Sequence, residues 1–339
     1  MLLIRQARLR DHRQLLGLAR ELDSINLPAN SAELREMIRR CERSFQGRIR
    51  ERSRAVYLFC AEEAGNGRLA GASMIIAKHG TPQSPHYYLE IDSDERYSPT
   101  LRKAFRHTYL RLRYSMDGPS ELGGLIVTRA MRRHPERIGK QLSWVRFLYI
   151  ARHRARFEGR LIAEMLPPIK PGYRNAFWDH YGRRVTGLTF READRISMHD
   201  KQFIRELFPE SPLYTFLLPE EVRNTLGVVS DEARGAVRLL EHAGMRFRDH
   251  IDPFDGGPYY EGVVPELKPV RDCHSYRIAR GDTGVSERTA CLVAREDQFG
   301  FRAARAAAKV EGRHLIVPGE IMTLLGIAEN DRVEAVALP

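Results

Sequence analysis

The sequence places two carboxylates in a stiff, glycine-flanked segment, "HIDPFDGGPYYEG", which runs from His250 to Gly262. Asp252 and Asp255 stand three residues apart around a proline, and Gly256-Gly257 follows at once. Because such glycines let a backbone approach a ligand closely, the segment is a candidate binding loop. The alternative is that both carboxylates accept hydrogen bonds from the N–H groups of their own turn.

A second chemical feature is a predicted strand, polar loop and long helix over residues 121–157. A helix that begins after a strand presents unpaired N–H groups and the positive end of its dipole, which suits a pyrophosphate. The region is therefore a candidate site for a phosphate-bearing ligand, and the alternative is an ordinary helix entry in an α/β core. The basic residues expected as phosphate neighbours are Arg132, Arg133, Arg137 and Lys140.

The composition is that of a globular protein with an excess of basic residues. The 339 residues are 42% hydrophobic and 29% charged, with a formal net charge of +11 spread along the chain. No apolar run approaches the roughly 20 residues that span a bilayer. Four scattered cysteines without a C-x-x-C pair predict neither a disulfide framework nor a zinc site. We therefore expect a cytoplasmic protein with no metal and no membrane partner, whereas the positive charge alone leaves open a nucleic acid or a phosphate-bearing small ligand.

Hydrophobic periodicity predicts an α+β fold with a mixed sheet and flanking helices. Residues 2–8 alternate as a strand, and a second helix is expected to begin at an N-cap supplied by Asn30 or Ser31. Two apolar runs around Gly65-Asn66-Gly67 predict a hairpin. The helix after the polar loop is expected to bury one apolar face.

The order helix, glycine, strand occurs twice, first around Gly187 and then around Gly244. Asp231 is the expected cap of the second of these helices. The repetition indicates two related halves, and the turn-rich sequence from about residue 270 predicts a small C-terminal β-rich domain. The expected domains are therefore 1–190, 191–270 and 271–339.

Long strings of the chain are similar to those of the arginine N-succinyltransferase family, in its α-chain type with a C-terminal extension. The loop stretch "HPERIG" also resembles, through its last glycine, the coenzyme A signature of the GNAT acyltransferase superfamily. The resemblance implies a GNAT-like fold that transfers succinyl from succinyl-CoA to the α-amino group of L-arginine in arginine catabolism. The strings are "LPAN" (27–30), "GPSEL" (118–122), "AEM" (163–165), "NAFWDHYGRR" (175–184), "ELFPESPLY" (206–214) and "IDPFDGGP" (251–258).

The resemblance also assigns the two substrates to regions of the chain. Leu125 falls where the family binds succinyl-CoA, and backbone N–H groups of the strand around it are expected to polarise the thioester carbonyl. Because a carboxylate is the natural bidentate partner of a guanidinium, Asp252 and Asp255 are the expected contacts of arginine, with turn capping as the alternative. The expected donor site consists of Leu125, Ile126, Val127, Arg137, Gly139 and Lys140.

One departure from the family pattern concerns proton transfer. The family resembles G-x-V-H-P, with a histidine that transfers the proton, whereas this chain reads "GVVSDEA" with Ser230 in that place. A serine hydroxyl is too weak a base near neutral pH and at best orients a water molecule. The alternative bases are Glu121, His242 and His250.

This departure leaves further functions open. The chain is either an active succinyltransferase, a relative with a different amine acceptor, or a catalytically silent subunit of a hetero-oligomer with a paralogous chain; a homo-oligomer is a further expectation. The tail "LIVPGEIMTLLGIAENDRVEAV" resembles a swapped-hairpin DNA-binding pattern. Its basic flank is thin for phosphate contacts, and the family's own extension explains the tail more simply. With the resemblance, this leads us to expect small-molecule substrates and no nucleic acid as partner.

Overall fold

The structure of the protein is a computed structural model, and it describes residues 1–22, 27–169, 175–197, 200–280 and 288–339. The helices are α1 (His12–Leu22), α2 (Ser31–Phe45), α3 (Ile138–Arg152), α4 (Ala176–His180), α5 (Gly182–Thr186), α6 (Phe190–Ser197), α7 (Gln202–Leu207), α8 (Glu220–Arg223), α9 (Arg234–Ala243), α10 (Lys268–Arg271) and α11 (Gly319–Leu325). The strands are β1 (Leu2–Gln6), β2 (Val56–Glu63), β3 (Leu69–Ile76), β4 (His86–Ser98), β5 (Lys103–Ser115), β6 (Ser120–Val127), β7 (Arg160–Glu164), β8 (Leu213–Tyr214), β9 (Arg246–Ile251), β10 (Pro258–Val263), β11 (His274–Ala279), β12 (Thr289–Asp297), β13 (Gly300–Glu311), β14 (His314–Ile316) and β15 (Arg332–Ala337).

The described strands join in one mixed sheet, which confirms the α+β class. Their order is β12-β15-β11-β14-β13-β1-β2-β3-β6-β7-β10-β9-β4-β5-β8. Among these strands the pairs β6–β7 and β11–β14 are parallel, whereas hairpins such as β2–β3 and β4–β5 are antiparallel. A parallel pair needs a crossover connection, and α3 supplies it between β6 and β7.

Several local predictions are confirmed at the amino-terminal end. The side chain of Asn30 caps α2 by accepting hydrogen bonds from the N–H groups of Ala32 and Glu33. Strands β2 and β3 flank Gly65 and Gly67, whose positive φ angles explain why glycine occupies both positions of the hairpin connection. The second helix–glycine–strand unit is also present as α9, a left-handed Gly244 and β9.

Two local predictions are wrong, and a third is confirmed but incomplete. The segment after Gly187 is helix α6 instead of a strand, so the sequence repetition is only half reproduced. Helix α9 takes Ala233 as its N-cap, because the carboxylate of Asp231 pairs with Arg234 instead. The predicted apolar face of α3 is buried, but so are its other sides, since the helix packs against the sheet, α9 and the C-terminal strands.

Three hydrophobic clusters fill the described part of the chain. The first packs α1, α2, α3 and α9 against the strands from β1 to β7 in sheet order. The second joins α4 to α8 with β4 and β5, around the fully buried Phe177 and Trp178. The third lies among the C-terminal strands and α11.

The C-terminal strands continue the main sheet, because β13 pairs with β1. They also contact α3, whose Trp144 indole donates to the carbonyl oxygen of Ala337 over 3.0 Å. The domain boundaries at 190 and 270 stay predictions. Among the described residues, no helix is long and apolar enough to cross a membrane.

Candidate functional site

The central feature of the site is the point where β6 and β7 separate. Their parallel register consists of the pairs Ser120–Leu161 and Glu121–Ile162. Beyond Glu121, β6 stays with β3 up to Val127, whereas β7 stays with β10 up to Glu164. The two described strands therefore diverge toward their carboxyl ends and leave a gap between their facing edges.

A bulge shapes the β6 side of this gap. The register of β3 and β6 shifts between Ala72 and Met74, where Gly124 and Leu125 lie opposite Ser73 alone, and Gly124 has a φ of 53°. Beneath the bulge, the buried Arg146 of α3 donates to the carbonyl oxygen of Gly123 over 3.4 Å. Burial lowers the pKa of Arg146 to about 9, and the charge of Glu121 opposes that shift. Through this hydrogen bond the buried guanidinium of Arg146 lies close to the start of the gap.

The loop between β6 and α3 carries the predicted donor residues. Arg137 caps α3 in the left-handed conformation, and its exposed side chain lines a cavity of about 330 Å³ together with Lys140 and Arg305. Lys140 donates to the carbonyl oxygen of Pro339 over 2.7 Å. A Cβ atom at Gly139 would meet only Val127, at an ordinary 3.8 Å, so protein packing does not require this glycine. The cavity is basic and lies at a helix N-terminus.

A cluster of carboxylates lies on the β7 side. One oxygen from each of Glu164, Asp252 and Asp255 lies within 4.8 Å of the other two. Glu164 keeps solvent contact, but burial by the surrounding protein, followed by the charges of Asp252 and Asp255, raises its pKa well above the ordinary value. Asp194 of α6 lies nearby, and burial and the charge of Asp252 raise its pKa to about 6. The cluster therefore holds more negative charge than this environment stabilises.

Asp252 and Asp255 are also built into their own turn. Asp252 accepts hydrogen bonds from the N–H groups of Phe254 and Asp255 and from the Tyr259 hydroxyl, and Asp255 accepts one from Gly257. A Cβ atom at Gly257 would lie 2.4 Å from the carbonyl oxygen of Met165, so this glycine serves contact with the protein's own backbone. Turn capping is thus present, and the binding of a cationic substrate by the same carboxylates stays a prediction.

Two of the family-like strings meet at this turn. Asn175 caps α4 through the N–H group of Trp178, and its side-chain amide donates to the carbonyl oxygen of Asp255 over 2.8 Å. The indole of Trp178 stacks on Phe254 with ring centroids 5.2 Å apart and an interplanar angle of 9°. These contacts fix the carboxylate turn relative to the helical layer.

The predicted base Glu121 has a partner that the sequence did not indicate. Its buried carboxylate is hydrogen-bonded to Nε2 of His79, which follows β3. Burial alone would raise the pKa of Glu121, but the charge and hydrogen bond of His79 and the charges of Lys201 and Arg146 bring it below the ordinary value. The carboxylate is therefore ionised near neutral pH.

The other proposed bases occupy different places. His250 of β9 pairs with Glu261 of β10, which lies beyond β7 from β6, and its ring packs 4.6 Å from Tyr88. His242 lies at the end of α9, where its ring packs 5.9 Å from that of Trp144. Neither side chain borders β6 directly in the strand order of the sheet.

Ser230 lies close to the carboxyl end of β7. Its N–H group donates to the carbonyl oxygen of Leu166 over 2.9 Å, two residues beyond Glu164. The Ser230 hydroxyl is buried, and no described residue forms a hydrogen bond with it. The backbone thus brings position 230 to the gap with a side chain that cannot act as a base near neutral pH.

Comparisons with known proteins identify the family. A family model described as arginine N-succinyltransferase beta subunit matches residues 2–269. Arginine N-succinyltransferases of Escherichia coli are similar over the whole chain: that of strain 55989 / EAEC is 31% identical and that of O1:K1 / APEC is 30% identical, each over 100% of this chain and 98% of the relative. A solved structure, described as arginine/ornithine succinyltransferase subunit AI from Pseudomonas aeruginosa, superposes with a TM-score of 0.85 at 25% identity, covering 100% of this chain and 99% of that one. The chain belongs to the arginine N-succinyltransferase family and is an acyl-CoA-dependent acyltransferase.

Proposed function

We propose that this chain transfers succinyl from succinyl-CoA to the α-amino group of L-arginine, in the catabolism of arginine. The observation that carries the proposal is the β6–β7 gap, which has a basic cavity beside the loop after β6 and a carboxylate cluster beside β7. The donor carries phosphates, which basic side chains attract, and the acceptor carries a guanidinium, which carboxylates attract. A site that joins the two substrates therefore needs opposite charges on its two sides.

The donor occupies the β6 side in this proposal. Its pyrophosphate meets the N-terminus of α3, with Arg137 and Lys140 as counter-charges and Gly139 leaving room for the close approach. The acyl carbonyl lies along the diverging part of β6, where backbone N–H groups of Leu125, Ile126 and Val127 stabilise the oxyanion. The donor thereby enters the gap with its reactive end pointing toward β7.

The acceptor occupies the β7 side. Burial raises the pKa of Glu164, Asp252 and Asp255, and the charge of Asp252 raises that of the other two further. A guanidinium placed among them therefore favours the ionised carboxylates. The same argument applies to a metal ion, but a planar guanidinium also meets the bidentate geometry of carboxylates. We therefore propose an organic cation as the occupant and no metal.

The wider architecture is part of the proposal. Residues 1–190 form a GNAT-like half that binds the acyl-CoA, residues 191–270 complete the substrate site, and residues 271–339 form a C-terminal β-rich domain. The four cysteines are free thiols, in keeping with a cytoplasmic location.

Two other outcomes have specific support. The Pseudomonas aeruginosa structure is described as an arginine/ornithine succinyltransferase, which favours ornithine as a second acceptor. It is also described as a subunit, which together with Ser230 favours an assembly in which this chain is silent without a paralogous partner. A homo-oligomer remains compatible with the proposal.

A thiol-release assay with succinyl-CoA separates these functions. We expect release of coenzyme A with arginine well above that with lysine, and ornithine tests the second acceptor. Release with neither arginine nor ornithine, while succinyl-CoA binds in calorimetry, would point to the silent subunit. Absence of succinyl-CoA binding at millimolar concentration would contradict the proposal as a whole.

A further inference from the structure

The imidazole of His79 is held rigidly beside the start of the β6–β7 gap. Two backbone hydrogen bonds fix residue 79. The His79 N–H group donates to the carbonyl oxygen of Pro119 over 2.8 Å, and the carbonyl oxygen of His79 accepts from the Gly118 N–H group over 3.0 Å. A Cβ atom at Gly118 would lie 2.7 Å from the same carbonyl oxygen, so the close contact requires glycine there. The ring is therefore positioned by the backbone as well as by Glu121.

The hydrogen bond to Glu121 determines which nitrogen of His79 is basic. Because the Glu121 carboxylate is ionised, it accepts a hydrogen bond, and Nε2 must carry the proton. In the neutral ring, Nδ1 then holds the lone pair. The side chain of His79 keeps 23% of its surface accessible, whereas that of Glu121 keeps 5%, so the imidazole is the exposed member of the pair.

The place of this pair fits a proton acceptor for the transfer. Glu121 belongs to the last registered pair before the strands diverge, and it precedes the bulge at Gly124 by three residues, about 10 Å along the strand. The charge of Glu121 also contributes to the raised pKa of Glu164, so the pair lies within electrostatic range of the carboxylate cluster. It therefore lies between the regions proposed for donor and acceptor.

We propose that His79 is the general base of succinyl transfer in this chain, with Glu121 as its positioning residue, and that the pair does the work that Ser230 cannot do. The inference rests on the proposed function. Nδ1 of His79 takes a proton from the α-ammonium group, and the charge of Glu121 stabilises the imidazolium. The amine nitrogen then attacks the thioester carbon; the C–N bond forms, the C–S bond breaks, the thiolate takes the second proton of the nitrogen, and His79 returns its proton to solvent.

The structure contains a rival with the same chemistry, the His250–Glu261 pair. Glu261 pairs with Ile162 of β7, so this rival is separated from β6 by one further strand. Between the two pairs lies the buried His86, whose pKa is lowered well below the ordinary value by burial and then by the charges of His79, Lys201 and His250. His86 is therefore neutral, which leaves His79 and His250 as the histidines to compare.

The test measures arginine-dependent thiol release by His79→Gln, since glutamine keeps an N–H donor for Glu121 but offers no base. We expect kcat to fall by about 10²- to 10⁴-fold, the usual contribution of a positioned base. The KM for succinyl-CoA and its calorimetric affinity are expected to stay within about twofold. His180→Gln is the matched control, because in the described part of the chain His180 bonds only the backbone of its own helix α4; it is expected to keep wild-type activity.

Two further experiments keep the result decisive. Added imidazole is expected to restore part of the rate of His79→Ala, and Glu121→Asp is expected to retain more kcat than Glu121→Gln at unchanged succinyl-CoA affinity. If His79→Gln binds the donor poorly, the imidazole experiment decides: rescue supports the role of His79 and no rescue overturns it.

The possible failures are distinguishable. Wild-type turnover that persists in His79→Gln and vanishes in His250→Gln would overturn the inference and leave the proposed function standing. A wild-type protein that binds succinyl-CoA but releases no thiol with arginine or ornithine would overturn both.

Discussion

The loop before α3 and the turn before β10 present opposite charges at the gap between β6 and β7. Arg137, Lys140 and Arg305 line a cavity on the loop side, where Glu136 is the one acidic side chain among the lining residues. On the turn, the carboxylates of Asp252 and Asp255 lie beside that of Glu164 and raise its pKa. Each side thus holds charge that a ligand of the opposite sign would neutralise. The net charge of +11 does not reveal this local separation.

The basic loop and the acidic turn also differ in the part of the fold that supports each of them. The basic loop is attached to the C-terminal strands through Lys140 and Arg305, and Trp144 of the following helix bonds to β15. The acidic turn is held by the helical layer through Asn175 and Trp178. Damage to one side is therefore expected to affect one substrate and spare the other.

The largest expected effect concerns the acceptor side. Glu164→Gln removes a charged hydrogen bond to the guanidinium, worth about 1.5–3 kcal/mol, so we expect the KM for arginine to rise about 10- to 150-fold. The KM for succinyl-CoA is expected to stay unchanged. Initial rates with both substrates varied provide the measurement, and the exposed Glu266→Gln is the control. An equal rise in both KM values would contradict the separation of the two sides.

The second prediction concerns the free energy of unfolding, which is expected to depend on the buried carboxyl group of Asp194. Its pKa of about 6 in the folded chain lies above the usual 3.8, so its contribution to stability is complete at low pH and is lost as the pH rises through 6. Asp194→Asn is therefore expected to raise the free energy of unfolding by about 2 kcal/mol at pH 8 and by much less at pH 4. Urea unfolding of both proteins at the two pH values tests this, and a gain that is independent of pH would disprove the electrostatic cause.

On the donor side we expect a smaller, salt-dependent effect. Arg137→Glu replaces an exposed positive charge near the phosphates, and the KM for succinyl-CoA is expected to rise about tenfold at low ionic strength and less at high salt. The matched control is Arg313→Glu, an exposed arginine in the turn between β13 and β14. The same rise in the KM for succinyl-CoA in both variants would mean that donor binding depends only on the net charge of the protein.

The two tryptophans provide the finest comparison, since each donates one hydrogen bond over 3.0 Å, from Trp144 to Ala337 and from Trp178 to Leu188. Replacing either by Phe is expected to cost at least about 1 kcal/mol of the free energy of unfolding. In kinetic measurements, Trp144→Phe is expected to raise mainly the KM for succinyl-CoA, and Trp178→Phe mainly the KM for arginine. Identical kinetic changes in both variants would contradict the independence of the two sides.

Much of the fold was predictable from local patterns, and much of the site was not. The cap at Asn30, the β2–β3 hairpin and the strand–loop–helix unit of β6 and α3 follow from short-range signals. The segment after Gly187 became helix α6 because packing of Phe190 and Ala193 in the second core outweighed its strand-like residues. Sequence strings gave the family, which the comparisons confirmed.

The partners within the site could not be predicted because they are distant along the chain. Glu121 was expected to act in catalysis, but its hydrogen bond with His79 depends on the register of β3 and β6. Glu164 stood within the string "AEM", yet its closeness to Asp252 arises only when β7 pairs with β10. For Glu164, the local sequence offered one signal of a functional role: a charged residue at the end of a buried strand.

The most direct test of the account identifies the nitrogen that becomes acylated. Arginine labelled with ¹⁵N at its α-amino group is incubated with succinyl-CoA and the wild-type protein, and the product is observed by NMR. The account predicts that coenzyme A is released while the labelled nitrogen becomes an amide that carries one proton. Thiol release with the label remaining an amine would mean hydrolysis or acylation elsewhere, and would contradict succinyl transfer to the α-amino group.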